Sequence, residues 1–175
     1  DKPLSKEELT QALNETENSK TPGWDGLPFE YYKSFWNTIA EDFVEMQHTI
    51  LNTQKKLTAS QERALTSLLY KKGDKKDLDN WRPLSLLCTD YKIITKAIAN
   101  RMKKVLSSVI HEDQTCSVPG RTIHSNLLLT RDLIEYSNQK NIQGYILTVD
   151  QEKAFDRVDR KFLFKILKQM NFGEK

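Results

Sequence analysis

One carboxylate, Asp150, ends a short apolar run and is a candidate ligand for a metal ion. Residues 145–155 read YILTVDQEKAF. A carboxylate at the carboxyl end of a buried strand can reach past the sheet into a crevice, where α/β proteins bind ligands and metals. Asp156 and Asp159 are well placed to cap the next helix and complement its dipole. The alternative is that all three aspartates, Asp150 included, are turn and cap residues. The spacing alone leaves both interpretations open.

Other metal and phosphate motifs do not fit this stretch. An EF-hand loop starting at Asp150 needs glycine where Phe155 stands and glutamate where Lys161 stands. A DxDxT phosphoaspartate loop needs aspartate at Glu152 and threonine at Ala154. No GxxxxGK[ST], GxGxxG or GxSxG pattern occurs in the chain. These absences argue against P-loop, dinucleotide-binding and serine-hydrolase chemistry.

The charge of the chain is unevenly distributed. Residues 1–54 contain four basic and ten acidic side chains, whereas residues 55–104 contain 13 basic and five acidic ones. So basic a middle third suits a polyanionic partner. A solvated helix face with a charged loop would produce the same excess. The lysines of the helix between Lys92 and Lys104 fit either interpretation.

Composition restricts the class of protein further. The 175 residues are 38% hydrophobic and 29% charged, with a mean hydropathy of −0.64, as in soluble globular proteins. No apolar window is long enough to span a membrane, and no signal peptide follows Asp1. The cysteines Cys88 and Cys116 form no CxxC pair, which favours free thiols in a reducing compartment. The three histidines lie in no zinc-ligand spacing with them, so a zinc site is not expected.

The elements that position these residues alternate between helix and strand. Ser5 and Glu8 predict a capping box, with Leu4 and Leu9 as its hydrophobic staple, for a first helix that fades near Asn18. The remaining predicted elements are a helix from Pro28 to about Asn52, strands at 64–71 and from Arg82, a helix from Thr89, a helix over 123–139, a buried strand at 145–149, and a helix over 159–170 ended by Gly173. This order indicates an α+β or α/β protein.

Four blocks of the sequence, read together, resemble one family. The family is the reverse transcriptases of non-long-terminal-repeat (LINE-type) retrotransposons. Its amino-terminal block is resembled by TPGWDGLPFEYYK at 21–33, and its first fingers motif by DNWRPLSLLCTDYKIITKAIANRM at 79–102. Its second fingers motif is resembled by DQTCSVPGR at 113–121, and its palm motif A by VDQEKAFDRVD at 149–159. The blocks occur in the family's order from Thr21 to Gly173. Cys116 and Ser117 depart from the pattern, because many relatives have Gly-Phe there.

The resemblance assigns roles to individual residues. Asp150 resembles the first catalytic aspartate, which binds two Mg²⁺ ions, and the main-chain carbonyl of Gln151 would supply a further metal ligand. Phe155 resembles the steric gate that excludes a ribose 2′ hydroxyl. The implied nucleotide-binding cations are Lys71 or Lys72 together with Arg82. The implied template-proximal residues are Pro22, Gly23, Asp25, Gly120 and Arg121.

The resemblance also implies a fold and partners. It implies an α+β, truncated right-hand polymerase fold that is helix-rich with a few short strands. Residues 1–55 would form an amino-terminal helical extension with the template-proximal block, 56–140 the fingers, and 141–175 the start of the palm. The implied partners are an RNA template, a DNA primer, deoxynucleoside triphosphates and the remainder of the polymerase polypeptide, with no membrane. An intracellular location, in nucleus and cytoplasm, follows for the family.

The resemblance stops before the family's two later catalytic aspartates. One carboxylate cannot hold two cations, so we expect these 175 residues alone not to polymerise DNA. Two alternatives remain open: a fragment that binds nucleic acid without catalysis, and a retrotransposon-derived relic.

Overall fold

The computed structural model describes residues 2–54 and 56–173, with the backbone alone for 52–54. Its elements in chain order are α1 (Lys6–Asn14), α2 (Phe29–His48), a π-helical turn (Thr49–Gln54), β1 (Ala64–Tyr70), a 3-10 turn (Leu78–Asn80), β2 (Trp81–Leu87), α3 (Thr89–Val109), α4 (Ile123–Gln139) and α5 (Arg160–Gln169). The protein is therefore helix-rich with a small two-stranded sheet. No helix in the described ranges is both long and apolar enough to cross a membrane.

The chain divides into two compact units. The amino-terminal unit comprises Lys2–Arg101, and the carboxy-terminal unit starts at Met102, so the boundary falls inside α3.

The predicted capping box begins α1. The Ser5 hydroxyl accepts a hydrogen bond from the Glu8 backbone N–H (3.3 Å), and the Ser5 N–H donates to the Glu8 carboxylate (2.9 Å). These reciprocal bonds satisfy donors that a helix start leaves without intrahelical partners. The helix ends at Asn14, earlier than the predicted end near Asn18. The Thr16 hydroxyl donates to the Leu13 carbonyl (2.6 Å), and this side-chain bond satisfies a carbonyl at the helix end.

The amino-terminal unit has a core built from α1, α2 and the first half of α3. The buried residues of α2 lie three or four positions apart, at 29, 32, 36, 40, 43 and 47, and α3 contributes residues 93, 94 and 97 to the core. The core cluster comprises Leu4, Leu9, Ala12, Leu13, Phe29, Tyr32, Trp36, Ala40, Phe43, Ile93, Ile94 and Ala97. Trp36 reaches across to α1, where its indole N–H donates to the Thr10 hydroxyl (2.8 Å). The amphipathic pattern of the α2 sequence thus indicates which side of the helix is buried.

Polar contacts fasten α1 to α3 at the edge of this core. The Arg101 guanidinium donates to the Glu8 carboxylate through Nε (2.6 Å) and Nη2, and to the Lys2 and Pro3 carbonyls. Glu15 accepts a hydrogen bond from the Asn100 amide (2.8 Å). Because Glu8 also closes the capping box, its carboxylate joins the start of α1 to α3.

The two predicted strands form an antiparallel hairpin. Ala64 lies opposite Leu87 and Leu69 lies opposite Arg82. Every residue of β1 is exposed, including Leu65 and Leu69. The hairpin therefore projects with both faces accessible within the described structure.

The helices of the carboxy-terminal unit form largely where predicted. The α4 bounds agree with the sequence, and Asp159 caps α5 by accepting a hydrogen bond from the Phe162 N–H (3.1 Å). The predicted bounds of α5, 159–170, agree with the structure, but the prediction that Gly173 ends the helix is wrong. Asn171 takes the left-handed conformation (φ 59°), and the Phe172 N–H bonds to the Leu167 carbonyl (3.0 Å), which completes a Schellman motif two residues earlier.

The predicted buried strand at 145–149 is also wrong. These residues have no regular secondary structure, and Tyr145, Leu147 and Val149 are 103%, 85% and 79% exposed. A strand needs a neighbour to satisfy its backbone N–H and C=O groups. In the described part of the chain β1 and β2 pair only with each other, so this apolar run has no strand beside it.

Candidate functional site

The hairpin connection between β1 and β2 is an ordered loop. The Lys71 N–H donates to the Asn80 carbonyl (2.8 Å), which continues the ladder one step beyond the strands. At the strand ends Tyr70 and Trp81 pack edge to face with ring centroids 5.3 Å apart. The Trp81 indole N–H donates to the Lys75 carbonyl (2.9 Å), so the aromatic pair also holds the loop backbone.

One glycine allows the loop to close tightly. Gly73 has φ 97°, a conformation that costs glycine little. Its carbonyl accepts a hydrogen bond from the Tyr70 hydroxyl (2.6 Å), and a Cβ at this position would lie 2.7 Å from the Asn80 amide nitrogen. That amide in turn donates to the Asp74 carbonyl (3.0 Å).

The loop exposes lysine side chains, and two of its carboxylates accept hydrogen bonds from its own backbone. Asp74 accepts a hydrogen bond from the Lys76 N–H (2.9 Å), and Asp77 accepts one from the Asp79 N–H (3.0 Å). Lys71, Lys72 and Arg82 are exposed, and within the described residues none of them forms an ion pair. The structure thus brings the three predicted nucleotide-binding cations together at one end of the hairpin. Such a surface suits an anionic ligand.

The TPGWDG block, residues 21–26, packs on the junction between β2 and α3. Gly23 is buried, and a Cβ there would lie 2.6 Å from the Cys88 backbone nitrogen and 2.7 Å from the Leu87 carbonyl carbon. The Thr89 hydroxyl donates to the Leu27 carbonyl (2.6 Å). Gly23 is therefore required for close approach of two protein backbones.

The other predicted residues of this block lie beside that contact. Pro22 and Asp25 are partly exposed, and Asp25 accepts a hydrogen bond from the Leu27 N–H (3.3 Å). Lys92 of α3 donates to the Thr21 carbonyl (3.2 Å). This lysine of the basic helix face has a protein partner.

Asp25, Cys88 and Asp90 form a cluster that the sequence spacing did not reveal. Their ligand atoms lie within 4.8 Å of one another. Burial raises the pKa of the Cys88 thiol, against a smaller lowering by its hydrogen bond to Ser60. Asp90 accepts hydrogen bonds from the Gln61 amide (2.8 Å) and from the Tyr91 N–H (2.7 Å). A protonated thiol and engaged carboxylates do not suit Mg²⁺, which prefers several oxygen ligands. The cluster instead joins the block, the turn at Gln61 and the start of α3.

Asp150, Gln151 and Phe155 lie in an exposed segment of the carboxy-terminal unit. Phe155 is 97% exposed, and Asp150 and Gln151 are exposed as well. Lys153 has φ 49°, and its carbonyl accepts a hydrogen bond from the Asp156 N–H (2.9 Å), which forms a turn. Among the described residues the one group of three possible metal ligands does not include Asp150. One carboxylate with a neighbouring carbonyl can contribute to a two-ion site but cannot form it.

Gly120 and Arg121 lie in the loop between α3 and α4. Gly120 has φ 78°, and a Cβ there would meet nothing within 4 Å. Arg121 directs its guanidinium inward, where it donates to the carbonyls of Ser107, Ile110, His111 and Gln114. Sequence reasoning missed this arrangement, because nothing in the motif indicates which way the side chain points.

Comparison with known proteins agrees with these motifs. Residues 71–175 match the family described as Reverse transcriptase (RNA-dependent DNA polymerase). The chain is 47% identical over 174 residues to the Transposon TX1 uncharacterized 149 kDa protein of Xenopus laevis, covering 98% of this chain and 13% of that protein. It is 23% identical over 174 residues to the Retrovirus-related Pol polyprotein from type-1 retrotransposable element R2 of Popillia japonica, covering 99% of this chain and 23% of the relative.

The match to the family covers more than half of the chain, and both relatives are transposon or retrotransposon proteins of which this chain spans less than a quarter. The chain therefore belongs to the reverse transcriptase (RNA-dependent DNA polymerase) family, in its LINE-type, non-long-terminal-repeat branch.

Proposed function

We propose that this chain provides the fingers and the start of the palm of a LINE-type reverse transcriptase, which extends a DNA primer on an RNA template. The observation that carries the proposal is the hairpin. Lys71 and Lys72 are exposed where β1 ends, Arg82 is exposed near the start of β2, and the Asp74 and Asp77 carboxylates of the connecting loop are engaged internally. Such a cationic tip suits the triphosphate of an incoming deoxynucleotide. The guanidinium can grip phosphate oxygens in a bidentate manner, and each lysine supplies a point charge.

Asp150 is the proposed first catalytic aspartate. Its carboxylate and the Gln151 carbonyl would hold Mg²⁺, and two such ions stabilise the attacking 3′ oxygen and the leaving pyrophosphate in this chemistry. Phe155 is the proposed gate against ribonucleotides. Support for these roles comes from the family match, which includes all three residues.

The template would pass beside two glycine-containing segments. Pro22, Gly23 and Asp25 form the first, and Gly120 with Arg121 the second. The close contact of Gly23 with Cys88 supports a positioning role for the first segment, because it attaches the block to the start of α3. Gly120 has open space around its α-carbon, so a template strand can approach it closely.

The proposed right-hand fold extends beyond the described elements. We assign residues 1–55 to an amino-terminal extension, 56–140 to the fingers and 141–175 to the start of the palm. The remainder of a longer polymerase polypeptide is the proposed partner for the exposed apolar run 145–149. We place the protein inside the cell, in nucleus and cytoplasm.

Binding of a deoxynucleoside triphosphate tests the hairpin. With the chain bound to an RNA template annealed to a DNA primer, the double variant Lys71→Gln/Lys72→Gln should weaken the affinity for the triphosphate about tenfold or more, because bonds between charged groups and phosphate are lost. The control is Lys140→Gln, an exposed lysine at the end of α4. Equal triphosphate affinity in the hairpin variant and the unsubstituted chain would contradict the proposal.

Primer extension tests the catalytic assignment. In a polymerase chain that contains these residues, Asp150→Asn should abolish Mg²⁺-dependent extension and leave primer-template affinity nearly intact. Phe155→Ala should increase ribonucleotide incorporation. A large loss of affinity in Asp150→Asn would show that the carboxylate is structural, and unchanged sugar discrimination in Phe155→Ala would exclude it as the gate.

A second candidate function is nucleic-acid binding without catalysis. It is favoured by one observation: within the described residues Asp150 belongs to no group of three or more histidine, cysteine or carboxylate side chains that could hold a metal ion. Salt-sensitive binding by this chain without extension would support it, whereas extension by this chain alone would exclude it. No salt-sensitive binding at all would favour a retrotransposon-derived relic.

A further inference from the structure

The loop between α3 and α4 contains a single buried side chain. Val118 is 7% exposed and is the one buried residue among the described residues 102–173. On either side of it Ser117 and Gly120 take the left-handed conformation, with φ 62° and 78°. Glycine adopts this conformation at little cost, but a serine holds it only if its surroundings determine it.

Arg121 supplies hydrogen bonds that determine this shape. Its Nη1 donates to the carbonyls of His111 (2.5 Å) and Gln114 (2.9 Å), and its Nη2 donates to those of Ser107 (3.1 Å) and Ile110 (2.9 Å). Each Nη carries two hydrogens, so these four bonds use all the terminal N–H groups of the guanidinium. A bidentate grip on phosphate needs at least one of them. The Nε–H takes part in none of these four bonds, and by itself it can donate one hydrogen bond but cannot form a bidentate grip on a phosphate.

The four accepting carbonyls lie at two places that the guanidinium joins. Ser107 and Ile110 lie in the last turn of α3 and just beyond it, where helix carbonyls lack intrahelical partners and favour a nearby cation. His111 and Gln114 lie in the loop, and the Gln114 N–H also bonds to the His111 carbonyl (3.1 Å). Arg121 thus fastens the loop to the carboxyl end of α3.

We propose that Arg121 is a positioning residue: it holds the loop 111–120 in the shape that presents Gly120 to the template and makes no bidentate phosphate contact itself. The template part of this inference rests on the proposed function. The loop part rests only on the hydrogen bonds of the guanidinium.

A lysine distinguishes geometry from charge at this position. Lysine retains the positive charge but has one nitrogen with three donors, which cannot reach four carbonyls on two sides. If Arg121 acts through its geometry, Arg121→Lys will behave like Arg121→Gln. If it acts through its charge on phosphate, Arg121→Lys will behave like the unsubstituted chain.

Hydrogen exchange measured by mass spectrometry tests the loop without any nucleic acid. In both Arg121 variants we expect backbone amides of residues 106–122 to exchange about tenfold faster or more, because the bonds that hold the loop are lost. Arg131→Lys and Arg131→Gln are the matched controls, since Arg131 is exposed on α4 and pairs with its neighbour Asp132. Their loop exchange should not change. Normal loop protection in Arg121→Lys would overturn the proposal.

RNA binding by the same variants tests the consequence for the template. We expect the affinity of both Arg121 variants to fall about tenfold at fixed salt, with the salt slope and the urea midpoint of unfolding unchanged.

A slope reduced by about 0.7–0.9 in Arg121→Gln and restored in Arg121→Lys would show direct phosphate contact and overturn the proposal. A lowered midpoint with unchanged RNA affinity would show a purely structural role and also overturn it. If the unsubstituted chain did not bind RNA, the proposed function and the template part would both fail, and the exchange experiment would still decide the loop part.

Discussion

The helices α2 and α4 have similar lengths and amphipathic sequences, yet they differ in what they bury. Phe29, Tyr32, Trp36 and Phe43 of α2 are buried. No residue of α4 is buried, and Leu127 and Leu133 are 59% and 56% exposed. An amphipathic pattern is thus enough to specify a helix, but burial also requires another element with a complementary apolar face.

The same contrast separates the two units. The amino-terminal unit has a core of three helices, whereas Val118 is the one buried side chain described in the carboxy-terminal unit. We therefore expect most of the free energy of unfolding to come from Lys2–Arg101. All three tryptophans, Trp24, Trp36 and Trp81, lie there, so their fluorescence reports on this unit selectively.

The sharpest test of this contrast removes one leucine from each unit. Leu9 is completely buried, so Leu9→Ala should lower the free energy of unfolding by about 2–5 kcal/mol. Leu147 is 85% exposed, so Leu147→Ala should change it by less than about 0.5 kcal/mol. Urea unfolding followed by tryptophan fluorescence and by circular dichroism measures both. Losses of equal size would mean that the two units share one core.

A glycine pair gives the next largest expected effect. A methyl group on Gly23 would overlap the backbone at Cys88, so Gly23→Ala should destabilise the amino-terminal unit by about 1–3 kcal/mol. Gly144 has nothing within 4 Å of a Cβ, so Gly144→Ala is the matched control with no expected loss. A neutral Gly23→Ala would show that the TPGWDG block does not pack tightly on the start of α3.

An arginine pair separates a tertiary contact from a local one. Arg101→Gln removes the bonds to Glu8 and to the Lys2 and Pro3 carbonyls, and should cost about 1–2 kcal/mol in urea unfolding. Arg131→Gln removes an exposed pair with the adjacent Asp132 and should cost almost nothing. Equal urea midpoints for the two variants would show that the Arg101 contacts do not stabilise the packing of α1.

Acid should weaken the amino-terminal unit by a smaller amount. Hydrogen bonds from Gln11 and then Asn100 lower the pKa of Glu15, and the Ser19 backbone N–H lowers that of Glu30. Both carboxyls bind protons more readily in the unfolded chain, so their stabilisation is present above the ordinary pKa of 4.5 and is lost as the pH falls below it. Urea midpoints from tryptophan fluorescence between about pH 6 and pH 3 measure this loss. Glu15→Gln should reduce the pH dependence, and a midpoint that rises on acidification would contradict the assignment.

Local patterns in the sequence predicted several elements well. The capping box at Ser5 and Glu8, the helix over 123–139 and the cap at Asp159 each depend on residues a few positions apart. The hairpin was also predictable, because two short apolar segments flank a basic loop. Interactions between residues close together in the chain decide such features, so the sequence pattern shows them directly.

Contacts between distant segments were not predictable in the same way. The contact of Gly23 with Cys88 joins residues far apart in the chain, and so does the Asp25, Cys88 and Asp90 cluster. The failed strand at 145–149 has the same origin, because an apolar run predicts a strand only if another strand lies beside it. Its backbone cannot satisfy its own hydrogen bonds as a helix does.

The sequence by itself determined the helices, the hairpin and the family, since turn chemistry, apolar spacing and motif order are local or sequential properties. Only the tertiary structure decided that the α4 and 145–149 apolar surfaces remain exposed and that Arg121 faces four carbonyls. Burial and side-chain direction depend on which surfaces meet in space, and no spacing along the chain specifies that.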